Sequence, residues 1–159
     1  MSLEPFGTAE AHDSPTVRQL SVFIENRVGQ LLQLTRLLEE TDIHILGISV
    51  VNSLDCAVIR MIVDDPDEAH RRFSDSGFAV SETELLVVSL PPGKRALLGT
   101  WTALMAGEVN VNYTYPLLVR PQGRPAIALQ ADNPDMAANV LRSKKYDVLG
   151  QSDLLSHYD

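Results

Sequence analysis

The side chains of this chain that could carry out chemistry are few, and their spacing matches no common catalytic or metal-binding pattern. The four histidines lie far apart in the sequence, at His12, His44, His70 and His157. A zinc site needs ligands at short, characteristic spacings, and the one cysteine, Cys56, has no neighbouring motif that would stabilise a thiolate. Glycine-rich nucleotide loops and the nucleophile elbow of hydrolases are missing as well. We therefore expect no catalytic residue, no metal and no cofactor.

An acidic run, Asp64–Glu68, has the composition of a cation site but not its spacing. A calcium loop spreads its ligands over about a dozen residues around a glycine turn. A related run, Asp132–Asp135, occurs later in the chain, and each run has a proline directly after Asp or Asn. That order is typical of a helix start, where the polar side chain caps a free N–H group. Both runs therefore predict helix N-termini, with Asp65 as a cap and Glu68 completing a capping box.

Three aromatic residues, Trp101, Tyr113 and Tyr115, raise the possibility of a base-stacking surface. A nucleic-acid-binding protein would surround them with basic residues, whereas this chain of 159 residues carries 13 Lys and Arg against 21 Asp and Glu. The resulting net charge of -8 also argues against docking on anionic lipid. We expect these aromatic residues in a core or an interface, and neither nucleic acid nor a membrane as a partner.

A pattern of strands and helices that occurs twice must position these residues. In the first half, the periodicity predicts strands at 17–24, 43–51, 56–63 and 78–82, with helices at 30–41 and from 66 to 77. In the second half, it predicts strands at 85–90, 109–119, 125–131 and within 146–155, with helices at 96–107 and from 134. The order strand-helix-strand-strand-helix-strand is that of a ferredoxin-like α+β unit.

Direct comparison of the halves supports an internal repeat. With an offset of 66, the residues Leu31, Leu38, Ile43 and Ile45 match Leu97, Leu104, Val109 and Val111. With an offset of 68, the residues Asp64, Pro66, Asp67 and Ala69 match Asp132, Pro134, Asp135 and Ala137. The two extra residues fall in a hairpin turn, where insertions are well tolerated. We expect two tandem ferredoxin-like units, residues 17–83 and 84–155, after a flexible N-terminal tail at 1–16.

Two short motifs resemble those of ACT domains. In the first half, the loop Glu25–Leu31 joins a strand to a helix, and the step Asp42–Ile45 opens the next strand. In the second half, the step Glu108–Tyr113 is even more similar to the Gly-Ile-Asn-Ile-like sequence of the family. The resemblance covers about residues 17–155, in two copies, and implies a stand-alone regulatory protein that binds a small molecule, most often an amino acid, without catalysis.

The resemblance also implies where the ligand binds: between the first loop and helix of one unit and the second strand of a neighbour. A glycine in the loop lets the backbone approach a ligand, and the helix N-terminus suits a carboxylate. Asn side chains offer donors and acceptors for an amino group. The residues that this assignment covers are Asn26, Arg27, Val28, Gly29, Gln30, Leu31, His44, Ile45, Pro92, Gly93, Asn110, Val111 and Asn112. Val28 stands where the family commonly has Pro, and His44 replaces the usual Asn, which Asn110 keeps. In the second half, Lys94 and Arg95 follow Gly93, so the apolar stripe of the helix begins two residues later than in the first half.

The second strand of the first half is apolar on both faces. Simple alternation divides its residues into two sets, Ile43, Ile45 and Val51 on one face and Leu46, Ile48 and Val50 on the other. A sheet with helices on one side would leave the second set in water, so another unit or subunit normally covers such a surface. We expect the two halves to pack together and the whole chain to form a homodimer.

Two other functions compete with a ligand-binding regulator. The loop residues Asn26 and Arg27 also suit a small hydrolase similar to acylphosphatase, in which an Arg-bearing cradle holds phosphate and an Asn orients water. A dimerisation module with vestigial sites is the other alternative. For all three, the lack of a secretory signal, of a bilayer-length apolar run and of paired cysteines favours the cytoplasm.

Overall fold

The computed structural model describes residues 15–25 and 27–155. Within them the strands are β1 (Val17–Glu25), β2 (Ile45–Asn52), β3 (Cys56–Val63), β4 (Ala79–Ser89), β5 (Val111–Pro116), β6 (Ala126–Ala131) and β7 (Val148–Leu149). The helices are α1 (Gln30–Glu39), α2 (Pro66–Asp75), α3 (Ala96–Ala106), α4 (Pro134–Ser143) and α5 (Gln151–Leu155), with a 3₁₀ turn at Pro121–Gly123. Most of the expected tail, residues 1–14, and the expected site residue Asn26 lie outside the described residues.

The strands form two ferredoxin-like arrangements that share one strand. Strands β2, β3, β1 and β4 lie side by side in this order, each antiparallel to its neighbour. Strands β5, β6, β4 and β7 repeat that order in the second half. The predicted fold class, two tandem ferredoxin-like units of the α+β type, is therefore confirmed.

Strand β4 serves both units. Its residues 79–85 pair with β1, residues 86–89 pair with β6, and residues 87 and 88 also pair with β7. The prediction of two separate strands here was wrong, because the polar stretch Ser81–Glu84 continues the ladder against β1 instead of ending it. The expected domain boundary between residues 83 and 84 falls within this strand, and the division into domains at that point stays a prediction.

The apolar residues form three clusters. One lies between the first sheet and helices α1 and α2, and one lies between the second sheet and helices α3 and α4. The third contains no residue of these four helices and joins the helix-free faces of the two sheets through Val17, Leu46, Ile62, Leu85, Val87, Tyr115, Ala126, Ala128, Leu149 and Leu154. The two halves therefore pack together, as the apolar second strand indicated.

A bulge in β2 changes which residues reach this third cluster. The pairing register with β3 shifts between Ile45 and Gly47, so that Leu46 faces the other unit while Ile48 packs on the helix side with Ile45. The simple alternation that grouped Leu46 with Ile48 was therefore wrong, because one extra residue reverses the faces beyond it. Strand β5 has the same shift, between Val111 and Tyr113.

The predicted starts of α2 and α4 are confirmed, but the predicted capping box at Glu68 is not formed. Asp65 accepts a hydrogen bond from the N–H group of Glu68, and Asn133 accepts one from the N–H group of Met136. Glu68 does not close a capping box, because its carboxylate accepts hydrogen bonds from Arg71 and Arg72 instead. These bonds lower the pKa of Glu68 to about 2.

The end of the second unit differs from the expected strand. Only Val148 and Leu149 pair with β4, after which the chain turns into α5. Leu154 of this helix is fully buried in the cluster between the units. Helix α5 therefore packs against that cluster, at the place where the expected strand would have continued. None of the helices in the described part of the chain is long and apolar enough to cross a membrane.

Candidate functional site

The loop between β1 and α1 has the backbone geometry that a ligand-binding turn requires. Gly29 has a φ of 88°, a left-handed conformation that favours glycine, and it directly precedes the helix. An added Cβ would meet no heavy atom within 4 Å, so the backbone conformation, and not crowding, restricts this position. Val28 is fully exposed and Leu31 is exposed as well, which leaves both side chains available to a ligand or a second chain.

The four long helices differ in how their N-termini are satisfied. At α2 and α4, the side chains of Asp65 and Asn133 cap a backbone N–H group, and acidic residues occupy the first turn. At α1 and α3, no side chain among the described residues provides such a cap, and the first turn holds no acidic residue. The uncapped helices are those that follow the two expected ligand loops, so their free N–H groups can receive an anion.

A cleft of about 380 Å³ lies beside the first loop. Its lining comes from β1, the loop and α1, including Phe23, Arg27 and Gln30, and from the turn that links α2 to β4 at residues 76–79. Arg27 forms an ion pair with Glu25 at 2.6 Å. The cation that the hydrolase alternative assigns to phosphate is thus paired within its own loop.

The expected second-strand residues occupy equivalent positions in the two units. His44 precedes β2 and its Nδ1 lies 2.9 Å from Oδ2 of Asp64. Asn110 precedes β5, and its Nδ2 donates to Oδ2 of Asp132 at 3.0 Å. The backbones match too, because the Asp64 N–H donates to the His44 carbonyl and the Asp132 N–H to the Asn110 carbonyl, both at 3.2 Å.

Asn110 and Asn112 form a small polar cluster at the start of β5. Nδ2 of Asn112 donates to Gln130 at 2.5 Å and to Oδ1 of Asp132 at 2.9 Å. Hydrogen bonds from Asn110 and Asn112 hold the pKa of the Asp132 carboxyl below its usual range. All four side chains are solvent-accessible, and none of them lines the cleft beside the first loop. Ile45 and Val111 open their strands next to these pairs and are half-buried.

The loop between β4 and α3 repeats the first loop with a different charge. Gly93 has a φ of 108° and again has nothing within 4 Å of an added Cβ. Pro92 precedes it, and Lys94 and Arg95 follow, with Arg95 at the N-cap position of α3. The second loop thus combines the left-handed glycine with two exposed cations directly before an uncapped helix.

A buried polar link between the units was not anticipated from the sequence. The Gln19 side chain is fully buried on β1, where its Nε2 donates to the Tyr113 hydroxyl at 2.8 Å and its Oε1 accepts from the Tyr115 hydroxyl at 2.7 Å. Arg60 lies over the Tyr113 ring, 3.7 Å from its centroid. The expectation that the two tyrosines lie in a core or an interface is confirmed. A glutamine within the predicted strand 17–24 was the available signal for this link.

Comparisons with known proteins agree with this architecture. None of the curated proteins matches the chain in sequence. A crystal structure of protein BT0572 from Bacteroides thetaiotaomicron is similar, with 31% identity and a TM-score of 0.81, over 89% of this chain and 96% of that chain. A crystal structure of the regulatory subunit of aspartate kinase from Thermus thermophilus shares the fold, with 13% identity and a TM-score of 0.57, over 79% of this chain and 91% of that chain.

The family assignment rests on sequence as well as on fold. A family model described as an ACT domain pair matches residues 15–157, which is nearly the whole chain. The match includes both ferredoxin-like units, both left-handed glycines and both uncapped helices. It supports a ligand-binding regulatory role and shows no catalytic family. The chain therefore belongs to the family of paired ACT domains.

Proposed function

We propose that this protein is a non-catalytic regulator that binds a free amino acid at the loop between β1 and α1. The observation that carries the proposal is the contrast between the helices: α1 and α3 follow left-handed glycines and lack a side-chain cap, whereas α2 and α4 are capped by Asp65 and Asn133. The carboxylate of the ligand binds the free N–H groups of α1. The loop at Pro92 and Gly93 is the second candidate site.

The opposing wall of the site comes from the second strand of a neighbouring unit. Residues Asn110–Asn112 supply amide groups that can accept from, and donate to, an amino acid. They are solvent-accessible at the start of β5 and are absent from the cleft beside the first loop of the same chain. The proposal therefore assigns them to a site completed by a second copy of the chain.

A homodimer is supported by one uncovered row of the first sheet. Ala79, Phe23, Val58 and Val51 lie directly opposite one another on β4, β1, β3 and β2, so they share the helix-free face. We name them the apolar row. The adjacent row, formed by Ser81, Ser21, Arg60 and Ser49, is polar and separates the apolar row from the cluster between the units. Phe23 and Val51 are each nearly half exposed, which a second copy would relieve.

The cytoplasm is the compartment that suits this proposal. Cys56 is a free and exposed thiol, and free thiols persist where the redox environment is reducing. A regulator of this kind would meet its amino acid and its target protein there.

Titration calorimetry against the twenty amino acids tests the proposal. The wild-type protein should bind at least one amino acid, and the corresponding amino acid amide should bind far more weakly because it lacks the carboxylate. Gly29→Val should abolish binding, since a β-branched residue does not adopt a φ of 88° readily and the loop would change its conformation.

Gly123→Val is the matched control. Gly123 also has a positive φ, 74°, and nothing within 4 Å of an added Cβ, but it lies in the turn before β6. This variant should suffer a similar strain and still bind. If no amino acid binds at millimolar concentration, the dimerisation-module alternative takes the place of this proposal, and binding by Gly29→Val with wild-type affinity would contradict the site.

A further inference from the structure

The second unit has a cleft that the first-loop site does not use. It measures about 240 Å³ and lies where the end of β4, the turn before β6 and the turn between α4 and β7 come together. Its lining includes Ser89, Arg124, Lys144, Lys145, Tyr146 and Asp147. The first unit has its own cleft at the corresponding place, so the two repeats carry different side chains around the same backbone frame.

Ser89 contributes a hydroxyl group that lacks a partner. The residue is only 4% exposed, and within the described part of the chain its Oγ makes no hydrogen bond. Its backbone is satisfied, because the Ser89 N–H donates to the Asp147 carbonyl at 2.9 Å. A buried hydroxyl without a partner is unfavourable, and this one lies in the wall of a cleft, where a ligand oxygen can accept its hydrogen bond.

The charged side chains around Ser89 are mostly basic, although the chain as a whole is acidic. Among the described residues, Arg124, Lys144 and Lys145 line the cleft, against a single acidic residue, Asp147, whose carboxylate lies 3.7 Å from Arg124. Lys145 adopts a left-handed φ of 65° at the position where the first unit has Gly77, with a φ of 86°. The second unit thus places a cation where the first has no side chain. The lining carries three cations and one anion, whereas the whole chain has a net charge of -8.

A second cleft adjoins this cationic one and is mainly apolar. It measures about 490 Å³, lies between α3 and the turn that follows α4, and is lined by α3 residues that include Leu98, Ala103 and Ala106. Lys144 and Tyr146 line both clefts. The Tyr146 hydroxyl lies so close to Gly99 that an added Cβ there would be 2.5 Å from it. The glycine therefore makes room for the side chain that stands between the two clefts.

We propose that these two clefts together bind an amphipathic oxyanion, a carboxylate or phosphate carried on an apolar chain. The oxyanion accepts hydrogen bonds from Ser89 and the cations Arg124, Lys144 and Lys145, while the apolar chain lies along α3 against Leu98 and Ala103. The site is separate from the first-loop site, because it belongs to the opposite unit and shares no lining residue with the cleft at Arg27. It borders the second candidate loop at Pro92 and Gly93, through Pro91 and Arg95, and does not depend on amino acid binding at Gly29.

Calorimetry with submicellar octyl phosphate and octanoate tests this proposal, with methyl phosphate and octanol as controls. The octyl oxyanions should bind at least about tenfold more tightly than methyl phosphate, which lacks the tail, or octanol, which lacks the charge. The tighter of octyl phosphate and octanoate identifies the head group. Equal affinity for octyl and methyl phosphate, or for octyl phosphate and octanol, would overturn the proposal.

Variants separate the site from non-specific binding. Ser89→Ala should weaken binding of the octyl oxyanion about tenfold while the unfolding temperature stays the same or rises, because the change removes a buried hydroxyl that has no partner. The double variant Lys144→Gln, Lys145→Gln should weaken it further. Arg36→Gln, the same kind of charge change on α1, should have no effect. Wild-type affinity in the Ser89 and lysine variants would refute the site, whatever the result with amino acids at Gly29.

Discussion

Among the single residues, Gln19 has the role that is hardest to see in a sequence. Its side chain is fully buried, yet its amide is satisfied by the hydroxyls of Tyr113 and Tyr115 from the other unit. A single sequence cannot reveal this partnership, because the residues lie more than 90 positions apart. The tyrosines were predicted to lie in a core or an interface, but their partner could not be.

Gln19→Met should destabilise the protein by about 1–3 kcal/mol, since the new side chain fills the space but leaves the Tyr115 hydroxyl buried without a partner. Urea denaturation measures the loss. The double variant Gln19→Met, Tyr115→Phe should recover part of it, because both polar groups are then gone. If the double variant is less stable by the sum of the two single effects, the hydrogen bond does not connect the units energetically.

On the scale of elements, helix starts could be predicted from the sequence because they depend on neighbouring residues. The register between paired strands could not, because it depends on residues far apart in the chain. Asp65 and Asn133 were correctly assigned to helix starts, because capping is a contact over three residues. The bulge at Ile45 and Gly47 was missed, since nothing in the apolar run of β2 marks a change of register. The two loop glycines were found from their motif. The cationic cleft at Ser89 was not predicted, because its lining residues come from turns that are far apart in the sequence and meet only in the folded chain.

The contrast between capped and uncapped helices can be measured. Asp65→Ala and Asn133→Ala should each cost about 1 kcal/mol in the free energy of unfolding, because each change removes the side-chain oxygen that receives a first-turn N–H group. Arg95→Ala, at the N-cap position of α3, should cost nothing by this route, since its side chain makes no such bond. Equal losses in all three variants in urea titrations would mean that the caps are not the cause.

Helix α2 is tied to the first sheet by an ionic cluster with a defined pH response. Arg18 contacts Asp67 and Glu82, each at 2.8 Å, and His70 contacts Glu82 at 2.9 Å. Hydrogen bonds from Arg18 hold the pKa values of Asp67 and Glu82 below their usual range. Their contribution to stability is therefore complete above the carboxyl pKa values of the unfolded chain, and it is lost as the pH falls through the lower values of the folded protein.

Arg18→Met should lower the thermal midpoint at pH 7 and have a smaller effect in strongly acidic solution, once the pH has fallen below the lowered pKa values of Asp67 and Glu82 and both carboxyl groups are protonated in the wild type as well. The loss at pH 7 should be modest and should shrink in high salt, since the side chains are partly exposed. Arg36→Met provides the matched control on α1. Circular dichroism melts at the two pH values measure the effect, and a constant loss at both would contradict the ionic origin.

For the whole molecule, the apolar surface that remains exposed is the apolar row on the first sheet. The helix-free faces of the two units cover each other near Leu46, Leu85 and Tyr115, but this cover stops at the polar row, and Phe23 and Val51 lie beyond it. Apolar side chains aligned across four strands form a continuous strip that residues 15–25 and 27–155 of one chain do not bury. The second copy that we propose would cover this strip and also complete the proposed ligand site.

Val51→Glu should therefore convert a dimer into a monomer, because a carboxylate in the middle of the interface would have to be buried without a partner. Light scattering at micromolar concentration measures the mass against the 17.5 kDa of one chain. Val50→Glu is a close control, since Val50 is 43% exposed against 44% for Val51 but belongs to the opposite face of the same strand. A wild-type mass of one chain would contradict the dimer.

Strand β4 has a consequence for how information passes through the molecule. Ordinary tandem domains are joined by a flexible linker, which lets one domain move without the other. Here one uninterrupted strand carries residues 79–85 of the first sheet into residues 86–89 of the second, so the backbone hydrogen bonds of both sheets are held by the same peptide segment. If a bound ligand shifts the first sheet, we expect the shift to be transmitted to the second sheet, because β4 continues from one sheet into the other without a linker that could absorb it.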